Sequence, residues 1–216
     1  MAHEVKKLLV ISHVVHYLHD GVLYAYGPYA REIDIWADLF PEVMIASPCR
    51  MEPPPQDAIP FTRSNVSIKP QLETGGDALS EKAKQLLTLP VHFYNLCIAI
   101  RQADAVHVRC PGNLGLMGAL LAPIFSRHLI AKYAGQWNGY ANEPFTVKLQ
   151  RKVLSSRWWR GPVTVYGEWP KQPDHIIPFF TSMMEASQVK LAQTYASRKK
   201  LEMPLRILFS GRLVSA

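Results

Sequence analysis

Apolar positions along this chain fall into short runs that alternate with stretches of helical period. Runs at Lys7–Ser12, Glu42–Ser47, Asn65–Ile68, Ala105–Arg109, His128–Ala134, Val163–Tyr166 and His175–Phe179 predict strands. Several are almost wholly apolar, as strands covered on both faces of a parallel sheet are. From 28 to 40 the period changes: Tyr29, Ile33, Trp36, Ala37 and Phe40 form one apolar stripe, with Arg31, Glu32, Asp34 and Asp38 facing away. Gly27 and Pro28 stand at its entry, where the missing proline N–H costs nothing. Further helices are predicted from about Pro90 to Ala103 and from Leu114 to Phe125, and Asn142 is placed to cap a basic helix from Glu143 onward. Strand–helix alternation of this kind predicts a doubly wound α/β domain, its sheet mostly parallel and its crossovers right-handed.

Residues 50–60 form a proline-rich loop, readable as a substrate-facing lid or as a stiff surface loop. Thr181 and Ser182 open a last helical stretch, with Glu185 completing a capping box on Ser182, polar through Lys200 like an interdomain connector. The strand pattern then restarts: residues 205–213 read Leu-Arg-Ile-Leu-Phe-Ser-Gly-Arg-Leu, an apolar strand, a glycine turn and an arginine. The expected organisation is a Rossmann-like domain over 1–182, a connector over 183–204, and at 205–216 the first strand of a further domain.

Composition narrows the class. At 48% hydrophobic and 19% charged, the chain has enough apolar surface for a packed core and is not a disordered sequence. Cys49, Cys97 and Cys110 are odd in number and widely spaced, with no Cys-x-x-Cys, so no metal site is expected and a reducing, cytoplasmic compartment is. The opening Lys6-Lys7-Leu8-Leu9-Val10-Ile11 imitates a signal peptide, but the apolar run ends at Ser12-His13 without a small-residue cleavage site, so it reads as a first strand. The longest uncharged stretch, 110–126, holds Pro111, Gly112 and Pro123 and is shorter than the ~20 residues a bilayer span needs, so it reads as a turn and a buried helix.

The net charge of +7 is concentrated in 143–160, where Lys148, Arg151, Lys152, Arg157 and Arg160 face one acid, Glu143. Such a balance suits an anionic ligand, an anionic membrane surface or nucleic acid. Trp158 and Trp159 among those cations suit peripheral contact with the inner face of a membrane; a solvated basic face with one buried indole fits equally. No nucleic-acid motif accompanies the charge, and no nucleic-acid partner is expected.

Candidate chemistry gathers after the strands, where open α/β sheets bind ligands. His13, His16, His19, Asp20 and Gly21 crowd the end of the first strand. Gly21 either lets backbone N–H groups approach a phosphate or simply turns the chain. Gly112, Gly115 and Gly118 miss the dinucleotide fingerprint in spacing and position, and close helix packing explains them better. Arg109 closes an apolar strand and is read either as a donor fork for a sugar hydroxyl or phosphate, or as half of a surface ion pair. Trp137, Asn138 and Tyr140 put aromatic rings beside amides, which suits carbohydrate, although core packing explains a tryptophan as well; Glu168-Trp169 repeats the theme.

Certain segments together carry a resemblance: His19-Asp20-Gly21 after the opening strand, Tyr-Gly-Pro-Tyr-Ala-Arg-Glu at 26–32, Ala-Asp-Ala-Val-His-Val-Arg-Cys-Pro-Gly at 103–112, Lys-Tyr-Ala-Gly-Gln-Trp at 132–137, and Ile-Leu-Phe-Ser-Gly-Arg-Leu at 207–213. In this order and spacing, over essentially the whole chain, they resemble the N-terminal half of a family 4 glycosyltransferase with the GT-B fold. The resemblance implies two Rossmann-like domains around a cleft, this one holding the acceptor. The other would hold a nucleotide-diphosphate sugar as co-substrate, with no metal and no further cofactor. It implies Gly21 and Arg212 at the donor phosphates, and His16, Asp20, Arg109, Trp137, Asn138 and Glu168 at the glycan or lipid-linked acceptor. Arg109 departs from the family, many of whose members have a histidine there. The lysine after Gly-Arg-Leu and the paired glutamates of the family fall past Ala216, so this domain alone is expected to be inactive and to need a donor domain in cis or in trans. The rival expectation is a non-enzymatic α/β module that binds a glycan or a donor domain.

Overall fold

Seven strands at the predicted places run parallel in one sheet. A computed structural model of the chain describes residues 5–73, 79–179 and 186–199. In chain order these hold β1 (Lys7–Ile11), β2 (His16–His19), β3 (Val22–Tyr26), α1 (Gly27–Leu39), β4 (Glu42–Arg50), β5 (Ala58–Pro60) and β6 (Val66–Gln71). There follow α2 (Leu79–Arg101), β7 (Ala105–Cys110), α3 (Asn113–Phe125), β8 (His128–Tyr133), α4 (Phe145–Ser155), β9 (Val163–Val165), β10 (Ile176–Pro178) and α5 (Ala186–Arg198). The fold is α/β and Rossmann-like, with a mixed, mostly parallel sheet of ten strands and five helices among the described residues.

These seven strands lie in the order β6-β4-β1-β7-β8-β9-β10. Counted among themselves along the chain this is 3-2-1-4-5-6-7, so the direction of winding reverses between β1 and β7. One face of the sheet packs Leu8, Val10, Val43 and Ile45 under Tyr29, Ala30, Ile33 and Ala37 of α1. The other packs Leu9, Ile11, Val106, Val108 and Ala131 under α2, α3 and α4. Gly115 and Gly118 let α3 sit close: a Cβ at Gly115 would stand 2.4 Å from the Arg109 carbonyl oxygen, and one at Gly118 would press on Ile11 and Val108 at 3.1–3.2 Å. The packing role expected of these glycines is the one they have.

Three further strands were not foreseen: β2 joins the sheet parallel to β4 (His16↔Cys49), and of the three only β3 runs against the rest. β2 and β3 form a hairpin in the register His19↔Val22, turning through Asp20 (φ 48°) and Gly21 (φ 76°), and β5 extends it beyond β3. Two successive positive φ values are what a tight hairpin turn needs, and Asp-Gly supplies them. The Pro-rich stretch is accordingly ordered at its end: Gly27 N–H donates to the Asp57 carbonyl at 2.9 Å.

Other boundaries moved for local reasons. α2 starts well before Pro90, which lies inside it with its ring exposed. Proline removes the bond to the preceding turn and crowds its carbonyl, a cost the helix bears here at an exposed position. Asn142 does not cap α4; it is in the left-handed region (φ 58°) and Pro144 holds the cap position. Glu32, placed on the solvent face of α1 by its period, is 12% exposed and engaged by two cations. The capping residues Ser182 and Glu185, the strand at 205–210 and Arg212 lie outside the described residues.

The chain divides into two compact units, Met1–Phe180 and Thr181–Ala216. The described part of the second is α5, whose side chains from Ser187 onward are all exposed, Val189, Leu191 and Tyr195 included. Among the described residues no helix is long and apolar enough to cross a membrane.

Candidate functional site

The direction of winding reverses between β1 and β7, and the carboxyl ends of those two strands are the place where doubly wound sheets take ligands. From β1 the chain delivers Ser12 and His13; from β7 it delivers Arg109, Cys110, Pro111 and Gly112. The Cys110–Pro111 bond is cis. The His13 ring packs on the backbone of Gly112, where a Cβ would stand 2.6 Å from Nδ1, so only glycine allows this approach. His13 keeps an exposed edge, yet surrounding protein and then the Arg109 charge depress its pKa. It is therefore neutral at pH 7 and able to accept a proton.

Beside it, on the α1 face, a buried charge network closes the edge. Arg109 and Lys132 are register partners on adjacent strands, so both side chains project from the same face. Glu32 reaches over from α1: its Oε2 accepts from Arg109 Nη1 at 3.0 Å and from Lys132 Nζ at 2.7 Å. Arg109 also lies 5.1 Å from the Tyr29 ring, and Lys132 lies 4.6 Å from the Phe179 ring and 5.5 Å from the Tyr166 ring. Burial pushes the Glu32 pKa up, but Arg109, Lys132 and His107 together carry it below its ordinary value. Glu32 is thus ionised and unsuited to act as a general acid. His107, fully buried against Trp36, is driven down to about 4, chiefly by desolvation, against the pull of Glu32. With the histidine neutral, two cations and one carboxylate leave the edge positive by one charge.

The residues expected at the site divide clearly. His16 opens β2 with its ring fully enclosed, stacked on Phe61 (centroids 5.8 Å apart) and edge-on to Tyr29 (5.4 Å). Its Nδ1 lies 2.8 Å from the Val14 carbonyl and 2.6 Å from the Ser47 hydroxyl, and burial lowers its pKa to about 4. The structure gives this imidazole a place in the core. Asp20 and Gly21 form the exposed hairpin turn, and their backbone requirement is met by that turn alone. Arg109 stands at the switch point, held by Glu32. Trp137 is 4% exposed, edge-on to Tyr133 at 5.1 Å, and donates its N–H to Gln172 at 3.1 Å. Asn138 beside it is exposed, as is Glu168 after β9.

Sequence reasoning did not single out Glu32 and Lys132, and left His13 as one of several histidines. Lys132 had a legible signal, a charge inside an apolar strand, which is seldom tolerated without a partner. Among the described residues no cluster of histidine, cysteine and carboxylate could hold a metal ion. Comparison with family models, with curated proteins and with solved structures finds no match in any of the three.

Proposed function

We propose that this chain is the acceptor-side domain of a GT-B-type glycosyltransferase. It would transfer a sugar from a nucleotide-diphosphate sugar to a glycan or lipid-linked acceptor, the donor-binding wall coming from a second domain in cis or in trans. The observation that carries the reading is the switch point between β1 and β7, where neutral His13 sits against the Gly112 backbone beside the positive Arg109–Lys132 edge. In this reading the acceptor oxygen bonds to the anomeric carbon and its proton passes to His13. The bond from that carbon to the phosphate oxygen breaks, and the nucleoside diphosphate leaves with the electron pair. Arg109 and Lys132 favour that negative charge at the edge, and preorganised charge of this kind is a major source of catalysis. Trp137 and Asn138, on the loop after β8, supply an apolar rim and an amide at the same edge.

The test is reconstitution with a donor domain, supplied with UDP- and GDP-sugars and with glycan or polyprenyl-phosphate acceptors, reading release of nucleoside diphosphate. Release that depends on this chain and falls ~10²-fold or more in His13→Ala is the expected result. No release from a folded, assembled pair across the panel overturns the reading. One observation favours the alternative of a binding module without turnover: Glu32, the buried carboxylate of the edge, is already held by two cations. Acceptor binding without diphosphate release in the same experiment would establish it.

A further inference from the structure

A groove of about 460 Å3 lies between α4 and the loop that follows β8. Its α4 wall is the stripe Lys148, Arg151, Lys152 and Ser155, at positions i, i+3, i+4 and i+7 on one side of the helix. Its opposite wall is Trp137 and Asn138. The cations of the stripe are not equivalent. Arg151 is held by both oxygens of Glu143, whose side chain is 6% exposed, so its charge is matched. Lys148 and Lys152, both exposed, pair with no carboxylate among the described residues. Like charges four residues apart on a helix are mutually unfavourable, and an anion lying between them removes that penalty.

The other wall is rigid. The Trp137 indole is fixed by its edge contact with Tyr133 and by its bond to Gln172. Asn138 uses Oδ1 on the Gly139 N–H at 3.1 Å, which leaves its amide NH2 for a ligand. Ser156 is taken up locally, donating to the Val153 carbonyl at 2.7 Å and accepting from Trp158 N–H, whereas Ser155 also lines the groove.

We propose that this groove binds a phosphorylated sugar. The phosphate lies between Lys148 and Lys152, a ring face lies on the exposed rim of Trp137, and Asn138 and Ser155 bond ring hydroxyls. The volume is in the range of small-molecule sites, roughly 300–1,000 Å3. It exceeds what a bare phosphate fills, and one largely buried indole offers no run of stacking platforms for a nucleic-acid strand. The proposal rests on the groove alone and stands whether or not the chain takes part in sugar transfer. The same headgroup chemistry occurs on soluble sugar phosphates and on lipids that carry a phosphorylated ring.

Calorimetric or NMR titration of the chain with glucose 1-phosphate, glucose and inorganic phosphate tests it, in parallel with sedimentation on phosphatidylinositol or phosphatidylserine vesicles of equal charge. Saturable binding of glucose 1-phosphate, tighter than phosphate or glucose alone, is the expected result and identifies a soluble source. Selective sedimentation on phosphatidylinositol vesicles identifies a lipid source of the same chemistry. In either arm Lys148→Gln/Lys152→Gln weakens binding about tenfold or more, the scale of one or two lost charge-assisted bonds, and Asn138→Ala weakens it less, with the thermal midpoint unchanged in both. Affinity for phosphate equal to that for glucose 1-phosphate together with equal sedimentation on both vesicles, no binding in either arm, or binding unaffected by the lysine pair would each overturn the proposal.

Discussion

Two groups of cations stand at the end of β8, and the protein treats them in opposite ways. On the α1 face Arg109 and Lys132 are sequestered under Glu32, Tyr166 and Phe179, with side-chain exposures of 12% and 3%. On the other face Lys148 and Lys152 line an open groove with no carboxylate among the described residues to match them. A charge removed from water must be paired, because the low-dielectric interior leaves it no other stabilisation. A charge at the surface carries no such demand, and its pairing is left to whatever binds. The contrast separates an edge that is preorganised at folding from a groove that is completed by a ligand.

The sharpest way to break this contrast is Glu32→Gln. It leaves two buried cations without their counter-charge, and the expected loss is about 3–5 kcal/mol of unfolding free energy, read by urea denaturation. A loss below about 1 kcal/mol would place the network with ordinary surface pairs.

Acid comes next in size. The His107 pKa falls from 6.5 to about 4 on folding, so between those pH values the unfolded chain binds a proton that the folded one does not. Stability contributed by the neutral ring is complete above pH 6.5 and declines as pH falls towards 4, by on the order of 3 kcal/mol. His16, lowered to about 4 by burial, acts in the same direction over the same range. Glu32, whose pKa is lowered, adds its own loss below its unfolded value as its carboxylate protonates. His107→Leu should flatten the slope between pH 6.5 and 4; an unchanged slope would show that the ring is not the group responsible.

A smaller effect is expected when the whole network is made apolar. Glu32→Leu/Arg109→Met/Lys132→Met should stay within about 2 kcal/mol of the parent, since a buried ion network often does no better than packed side chains of similar volume. Under the proposed function the same variant loses diphosphate release, which separates what the charges do for the fold from what they do for chemistry. The smallest effect belongs to the groove: Lys148→Gln/Lys152→Gln should shift stability by no more than about 0.5 kcal/mol, because neither lysine has a carboxylate partner among the described residues.

Most of the parallel strands were legible because they are apolar runs, and burial on both faces of a sheet is written directly into composition. The glycines of α3 were read as packing residues for a similar reason, since the only other reading needed a spacing they lack. The hairpin of β2 and β3 was present as Asp-Gly between alternating residues, but the same three letters at 19–21 also resembled a phosphate-binding turn. Strand pairing shows that these residues make the hairpin turn. Helical period placed Glu32 correctly on the helix and wrongly in solvent, because period reports the angle of a side chain and not what stands opposite it.

What the amino-acid sequence determined by itself is the set of elements and their class: apolar runs and helical stripes are local, and local burial requirements suffice to specify them. What only the tertiary structure decided is which charges meet. Glu32 is 77 residues from Arg109 and 100 from Lys132, and these come together because the order 3-2-1-4-5 and the register Arg109↔Lys132 place two cations on one face beneath α1. Long-range pairing of this kind depends on the path of the whole chain, so no window of sequence contains it.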